Sequence, residues 1–410
     1  MTTTTPPRTA PTTPPPSTPP PTTPELLDRY AGVLEAVGAE AVQRERERRL
    51  PLAEVELLRA SGFTRTALPP EHGGDGAGYE ALFELLTELA RRDSNLAQAL
   101  RSHFSFVDRT VLAPPSRARS SRLELLAGGA VHGNATFERS GGAPGAALTR
   151  DEHGLRLDGT KYYSTGTLYA DLVSVAVPTP TGSVSALVRT DAPGVHRLDD
   201  WDGFGQRLTG SGTTVFEGVR VHDDDVVERG APGHGGAFVQ LVLLAVLAGI
   251  ARAVVDDAVT YVRARTRRFS HGGGTSAADD PLVQEVVGDL SARSAAATAC
   301  VRQGAAALTA SGEALRAGAP EAEVVALVAA SDLAVAQAQL VVLPQVLTAA
   351  TDLFEVGGAS ALATDLALDR HWRNARTVAS HNPARYKARA LGDHLVNGTP
   401  LPSWWTVGEG

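Results

Sequence analysis

Side chains able to hold an anion or move a proton crowd into one C-terminal stretch, Arg370-His371-Trp372-Arg373-Asn374-Ala375-Arg376, running on to Ser380-His381-Asn382-Pro383. Arginine forks match the oxygens of a phosphate. Pro383 disfavours helix at Asn382, so His381 is expected where a helix ends or restarts, a place from which an imidazole reaches a cavity. Upstream, Gly357 and Gly358 would let backbone approach a ligand closely. A surface basic helix with a terminal histidine has the same composition, so both readings stay open. Further candidates are scattered. His103 lies in Ser102-His103-Phe104-Ser105-Phe106, where a lone histidine on an apolar helix face also reads as a satisfied core residue. Asn134 carries an amide that both donates and accepts. Ser164 and Thr165 stand in Lys161-Tyr162-Tyr163-Ser164-Thr165-Gly166, which by itself reads as a turn. Arg265 and Arg268 close an apolar run with the charge sign expected at a helix C-terminus.

The elements that must position these groups follow an α, β, α order. Residues 25–130 show apolar positions at helical spacing, beginning with Leu26-Leu27, Tyr30, Val33-Leu34 and Val37. Residues 131–229 break into short alternating runs, such as Leu172-Val173-Ser174-Val175, separated by Gly, Pro and Asp; these predict an antiparallel β domain. From 230 to 410 long Ala/Val/Leu-rich segments return, over about 238–268, 281–312, 321–354 and 365–395, and predict a helical bundle. Residues 1–24 are almost entirely Thr and Pro and read as a disordered tail. The fold class expected is thus α+β.

At 410 residues the chain has room for a large core, and 43% hydrophobic with 20% charged residues fits a soluble globular protein. A net charge of -8 argues against non-specific nucleic-acid binding. The single cysteine, Cys300, excludes a disulfide framework and a cysteine-based metal site and points to a reducing cytoplasm. No metal is expected, since the histidines lack carboxylates or thiolates at ligand spacing. The apolar run 238–250 is short for a bilayer span and carries Gln240, with Arg252 and Asp256-Asp257 beyond it; a buried bundle helix fits better than a membrane.

Several motifs, in this order, resemble the acyl-CoA dehydrogenase superfamily: Pro70-Glu71-His72-Gly73-Gly74, Leu157-Asp158-Gly159-Thr160-Lys161, Gly205-Gln206-Arg207-Leu208-Thr209-Gly210-Ser211-Gly212, Arg265-Thr266-Arg267-Arg268-Phe269, and Gly357-Gly358. The likeness runs from about Leu26 to Val396. It implies an N-terminal helical domain, a middle antiparallel β domain and a C-terminal helical bundle. Dehydrogenases of this superfamily abstract a substrate proton with a glutamate; aligned on Arg373-Asn374-Ala375-Arg376, that position holds Asn382, and an amide is no base near neutral pH. The Lys-Tyr-Tyr-Ser-Thr-Gly and His-Asn-Pro segments are instead similar to the flavin-dependent monooxygenase branch, although Val378 replaces one histidine often found there.

The resemblance implies a reduced-flavin-dependent monooxygenase that passes one oxygen from a C4a-hydroperoxyflavin to a small substrate, at S or N first and on an aromatic ring next. FMN is the expected flavin, with FAD open, and O2 the oxidant. His103, Asn134, Ser164 and His381 would serve the reaction, with neutral imidazoles moving protons. Asn134, Ser164, Thr165, Arg265, Arg268, Phe269, Gly357, Gly358 and Arg376 would hold the flavin, the arginine segment reaching a neighbouring subunit of a homotetramer. No stretch shows a nicotinamide-binding glycine pattern, so a separate flavin reductase is expected as partner. The rival readings are an FAD-dependent acyl-CoA dehydrogenase or oxidase and a scaffold without flavin affinity.

Overall fold

The computed structural model describes residues 20–138, 145–228, 233–267 and 269–402. Helices come first: α1 (Thr23–Gly38), α2 (Ala41–Glu47), α3 (Leu52–Ala60), α4 (Tyr79–Arg92), α5 (Ser94–Ala99), α6 (Arg101–Leu112) and α7 (Arg117–Ala127). Helix α1 begins inside the segment expected to be tail. Pro24 sits in its first turn, where a missing N–H costs nothing, and the Thr22 backbone N–H donates to Glu25 Oε2 at 2.8 Å.

Strands follow: β1 (His132–Ala135), β2 (Ala147–Asp151), β3 (Gly154–Lys161), β4 (Leu172–Thr179), β5 (Gly182–Arg189), β6 (Val195–Arg197), β7 (Thr214–Val221) and β8 (Val226–Glu228). They form two sheets, ordered β1-β4-β5-β8 and β2-β3-β7-β6. Val173, Val175 and Val177 from one sheet and Leu157, Phe216 and Val219 from the other share a buried cluster. Pairing is antiparallel except between β1 and β4, where His132 stands beside Leu172 and Asn134 beside Ser174 in parallel. The sequence runs did not reveal that pair, because β1 is only four residues long.

The C-terminal helices are α8 (Gly235–Ala264), α9 (Pro281–Ala317), α10 (Glu321–Asp352), α11 (Asp369–Ala379) and α12 (Ala384–Asn397). The last expected helix, about 365–395, is in fact two, interrupted at Ser380–Pro383. Pro383 takes the N-cap position of α12 at φ −62° and ψ 114°, a β conformation, so the chain turns there. Helix α8 is the core of the molecule: Phe238, Leu241, Leu244 and Leu247 pack against Leu82, Leu86 and Leu89 of α4 in one cluster. Each such side chain fully removed from water contributes roughly 1.5–3 kcal/mol. By length and composition α8 and the stretch from Glu321 to Val356 are apolar enough to cross a membrane, but 83% of the most apolar window of α8 is buried inside the protein.

The loop 205–212 ties the three regions together. Asn374 Oδ1 of α11 accepts the Gln206 N–H at 2.6 Å, and Asn95 Oδ1 of α5 accepts the Leu208 N–H at 3.1 Å. Gly205 lies so close to α11 that a Cβ there would fall 2.1 Å from the Arg373 carbonyl oxygen.

Candidate active site

The basic stretch that opened the sequence analysis is mostly spent on the fold. Arg370 Nη2 and His371 Nε2 both donate to Asp257 Oδ2 at 2.7 Å. Arg373 pairs with Glu45 at 2.8 Å and with Asp369 at 2.7 Å. Arg376 donates from Nε and Nη2 to Ser380 Oγ at 3.2 and 3.1 Å, on its own helix. The expected phosphate forks are therefore, apart from Arg376, neutralised by carboxylates that sequence distance hid.

His103 is also corrected. It is 1% exposed; its Nε2–H donates to the Thr64 carbonyl at 2.7 Å, and its Nδ1 accepts the His132 backbone N–H at 3.3 Å. With both ring nitrogens engaged by backbone, it is a satisfied core histidine, and burial pushes its pKa down to about 4. Its work is structural: it fixes α6 against β1. Neighbouring contacts do the same, since Ser102 Oγ donates to the His132 carbonyl at 3.2 Å and Phe106 stacks on the His132 ring at 4.1 Å.

That seam places Asn134. Its carbonyl accepts from Thr167 Oγ1 at 3.2 Å and its Oδ1 from Thr136 Oγ1 at 2.6 Å. Its Nδ2 donors have no protein partner among the described residues. Thr167 belongs to the Ser164 turn, where its N–H donates to the Ser164 carbonyl at 3.0 Å. Ser164 is 1% exposed and its Oγ is buried with no partner among the described residues. A buried hydroxyl left unpaired costs about 1–3 kcal/mol, so it marks a place kept for something else. Thr165 differs: its hydroxyl is bonded to Ser211 Oγ at 2.8 Å, so it holds the turn from behind and offers no free group. Gly166, at φ +79°, seats on α5 so closely that a Cβ would lie 2.2 Å from the Ala99 carbonyl oxygen.

His381 follows α11 in the break before α12. It offers accessible surface, yet surrounding protein removes enough water to hold its pKa below 6.5, with the Arg101 guanidinium adding to the shift. The next residue anchors it: Asn382 Nδ2 donates to Gln240 Oε1 at 2.6 Å, and Gln339 Nε2 donates to the Asn382 carbonyl at 2.9 Å. Gln240, which looked like a polar interruption of the apolar run, is there to receive Asn382.

Two polar residues that sequence reasoning missed lie at the junction of α5 and α6. Gln98 of α5 is 6% exposed, and its buried Oε1 has no partner among the described residues. Arg101, the first residue of α6, is partly buried and has no carboxylate partner among the described residues; desolvation alone pushes its pKa down to about 10.

A second cluster forms elsewhere. Arg265 Nη1 donates to the Val356 carbonyl at 2.8 Å, and its guanidinium lies 4.8 Å from the Phe269 ring centroid. Gly358, at φ +58°, faces the same ring, where a Cβ would stand 3.2 Å from Phe269 Cζ; Gly357 is packed on Tyr261. Arg265, Phe269, Gly357 and Gly358 are thus brought together, whereas Arg268 lies outside the described residues.

Residues 241–386 match the family model described as acyl-CoA dehydrogenase, C-terminal domain. Dibenzothiophene monooxygenase of Mycolicibacterium goodii is 31% identical over 389 residues, covering 88% of this chain and 92% of that protein. A probable FMNH2-dependent monooxygenase, SfnC, of Pseudomonas putida is 27% identical, covering 89% of this chain and 93% of the relative. Among solved structures, FMN-bound TdsC from Paenibacillus sp. A11-2 superposes with a TM-score of 0.82 at 27% identity, covering 92% of this chain and 98% of that one. The methanesulfinate monooxygenase MsuC of Pseudomonas fluorescens also gives 0.82, at 26% identity, covering 92% of this chain and 97% of that one. Fold and relatives define a flavin-dependent oxidoreductase. More narrowly, the chain belongs to the monooxygenase branch of the acyl-CoA dehydrogenase superfamily that includes dibenzothiophene monooxygenase.

Proposed function

We propose that this protein takes reduced FMN from a separate reductase and oxygenates a small organic substrate at sulfur or nitrogen. The residues present fit that flavin: the orphaned Ser164 Oγ and the free Asn134 Nδ2 are donors kept for a ligand's polar edge. Arg265 and the Gly357–Gly358 backbone suit its phosphate, reached from a neighbouring subunit. Bound reduced FMN supplies two electrons to O2, so that one oxygen atom reaches the substrate and the other leaves as water.

The chain's own groups do the rest. Ser164 Oγ–H and Asn134 Nδ2–H donate hydrogen bonds to fix the isoalloxazine edge. A ring nitrogen of neutral His381 accepts and returns a proton, and the reaction requires water to be kept from the bound flavin so that O2 is not diverted to H2O2. The observation that carries the reading is the Asn382–Gln240 bond. It locks the amide of Asn382, which by the sequence resemblance stands where a dehydrogenase of this superfamily keeps its carboxylate base, and this supports the adjacent His381 imidazole as the proton-handling group.

Homotetramer formation is supported by α10, whose most apolar window is only 33% buried, and by exposed Leu282, Val325 and Val341. A cytoplasmic setting suits an enzyme fed by a soluble reductase and carrying a lone cysteine. We infer a division into an N-terminal helical domain to about 130, a middle β domain to about 229 and a C-terminal bundle, supported by the order of helices and strands among the described residues. The test is incubation with an FMN reductase, NADH, 18O2 and an aryl methyl sulfide. A sulfoxide carrying 18O is expected; bleaching of bound flavin by acyl-CoA thioesters with no oxygenated product would overturn the proposal.

A further inference from the structure

Asn134 carries an amide with a donor end and an acceptor end, and its surroundings fix which end is offered. The two ends are nearly alike in shape, so a half-turn of the side chain exchanges a donor for an acceptor. Here the Thr136 hydroxyl donates to Asn134 Oδ1 at 2.6 Å. The bond ties down the oxygen and turns the NH2 end away from Thr136. That end has no partner among the described residues, and the residue keeps accessible surface.

Thr136 is itself held. Its carbonyl accepts from Lys161 Nζ at 3.1 Å, and Lys161, 1% exposed, also pairs with Glu138. The next carbonyl, of Phe137, accepts the Tyr162 N–H at 2.8 Å. Lys161 and Tyr162 lead directly into the Ser164 turn. From the far end of that turn, the Thr167 N–H donates to the Ser164 carbonyl at 3.0 Å, and Thr167 Oγ1 donates to the Asn134 carbonyl at 3.2 Å. A Cβ on Gly133 would lie 2.5 Å from Thr167 Oγ1, so glycine is what lets the two segments meet. Asn134, Thr136, Lys161, Ser164 and Thr167 thus close a ring of contacts across β1 and the turn after β3. The Asn134 amide and the orphaned Ser164 hydroxyl belong to one pinned unit.

We propose that Thr136 is a positioning residue: by holding Asn134 Oδ1 it commits Asn134 to donating, so that Nδ2–H meets a ring carbonyl of the flavin and not its N–H. Thr136 acts through the amide and does not itself touch the flavin. Without the hydroxyl the amide is free to turn, and an Oδ1 facing a carbonyl oxygen opposes binding where Nδ2–H favours it. The proposal rests on the FMN reading given above and deepens it, by naming the part of the flavin edge taken at this point.

The test titrates reduced FMN anaerobically into the wild type, Thr136→Val, Thr136→Ser, Asn134→Ala and the Thr136→Val, Asn134→Ala double variant. Thr136→Val keeps the volume and removes the donor, whereas Thr136→Ser keeps the donor. Thr136→Val should weaken FMN binding by about 3- to 10-fold, the worth of one hydrogen bond. Thr136→Ser should bind as the wild type does. With Asn134 already replaced by Ala, Thr136→Val should change Kd by less than about twofold, because the group it acts through is gone. The proposal is overturned if Thr136→Val binds as tightly as the wild type, or if Thr136→Ser is as weak as Thr136→Val. It is equally overturned if Thr136→Val costs the same affinity in both backgrounds, as a direct flavin contact or a general loss of fold would. In each of those cases the wild type binds and the FMN reading stands. A wild type with no affinity for reduced FMN would overturn that reading and the proposal together.

Discussion

Asn382 Nδ2 and Gln240 Oε1 lie 2.6 Å apart, joining the break between α11 and α12 to the central helix α8. Gln240 is 4% exposed, so the bond is made away from water and holds the residue next to His381 in one orientation. Gln240→Leu removes the acceptor and leaves the Asn382 amide seeking another partner. It should raise the H2O2 released per product several-fold while lowering stability by about 1–3 kcal/mol. An unchanged ratio of peroxide to product would show that this bond does not position the imidazole.

His381→Ala removes the proton-handling group itself. Reduced FMN should still bind, substrate oxygenation should fall by about 10²–10⁴-fold, and peroxide should account for the lost O2. Oxygen uptake followed with and without catalase measures the split. Coupling equal to that of the wild type would remove His381 from the chemistry.

Arg44 tests the packing within the N-terminal helical region. It is fully buried, donating to Glu54 at 2.9 Å and Asp93 at 3.0 Å. Arg44→Ala strands both carboxylates in the core and should cost about 3–5 kcal/mol of unfolding free energy. Urea denaturation reads this directly, and a shift of the midpoint too small to resolve would mean that water reaches the pair.

Stability should fall on mild acidification. His103, His132 and His371 all have folded-state pKa values below 6.5, chiefly because burial disfavours the cation. The unfolded chain therefore binds protons that the folded one refuses as pH drops below 6.5, and folding loses stability until the folded-state values are reached. For His103, which reaches about 4, the loss approaches roughly 3 kcal/mol. Thermal midpoints taken from pH 7 down to pH 5 should decline; a flat profile would mean that these imidazoles are hydrated.

Much of the architecture was readable from periodicity and punctuation. The apolar run carrying Gln240 became the buried axis of the bundle, and Pro383 marked a true helix break. Of the proposed site, the position of His381 in a helix break was legible because proline fixes local backbone, and the Ser164 turn because it belongs to a recognisable motif. What stayed hidden depends on long-range pairing. Nothing near Arg370 or Arg373 in sequence shows that Asp257 and Glu45 neutralise them. Nothing near His103 shows that Thr64 and His132 use up its ring.

The most direct measurement mixes the protein anaerobically with reduced FMN, adds O2 in a stopped-flow spectrophotometer, and follows the flavin absorbance. The account predicts a protein-dependent species, distinct from both oxidised and reduced FMN, that persists longer than free flavin allows and decays faster when an oxidisable sulfide is present. Direct return to oxidised FMN at the rate of the free flavin, with stoichiometric H2O2, would contradict it.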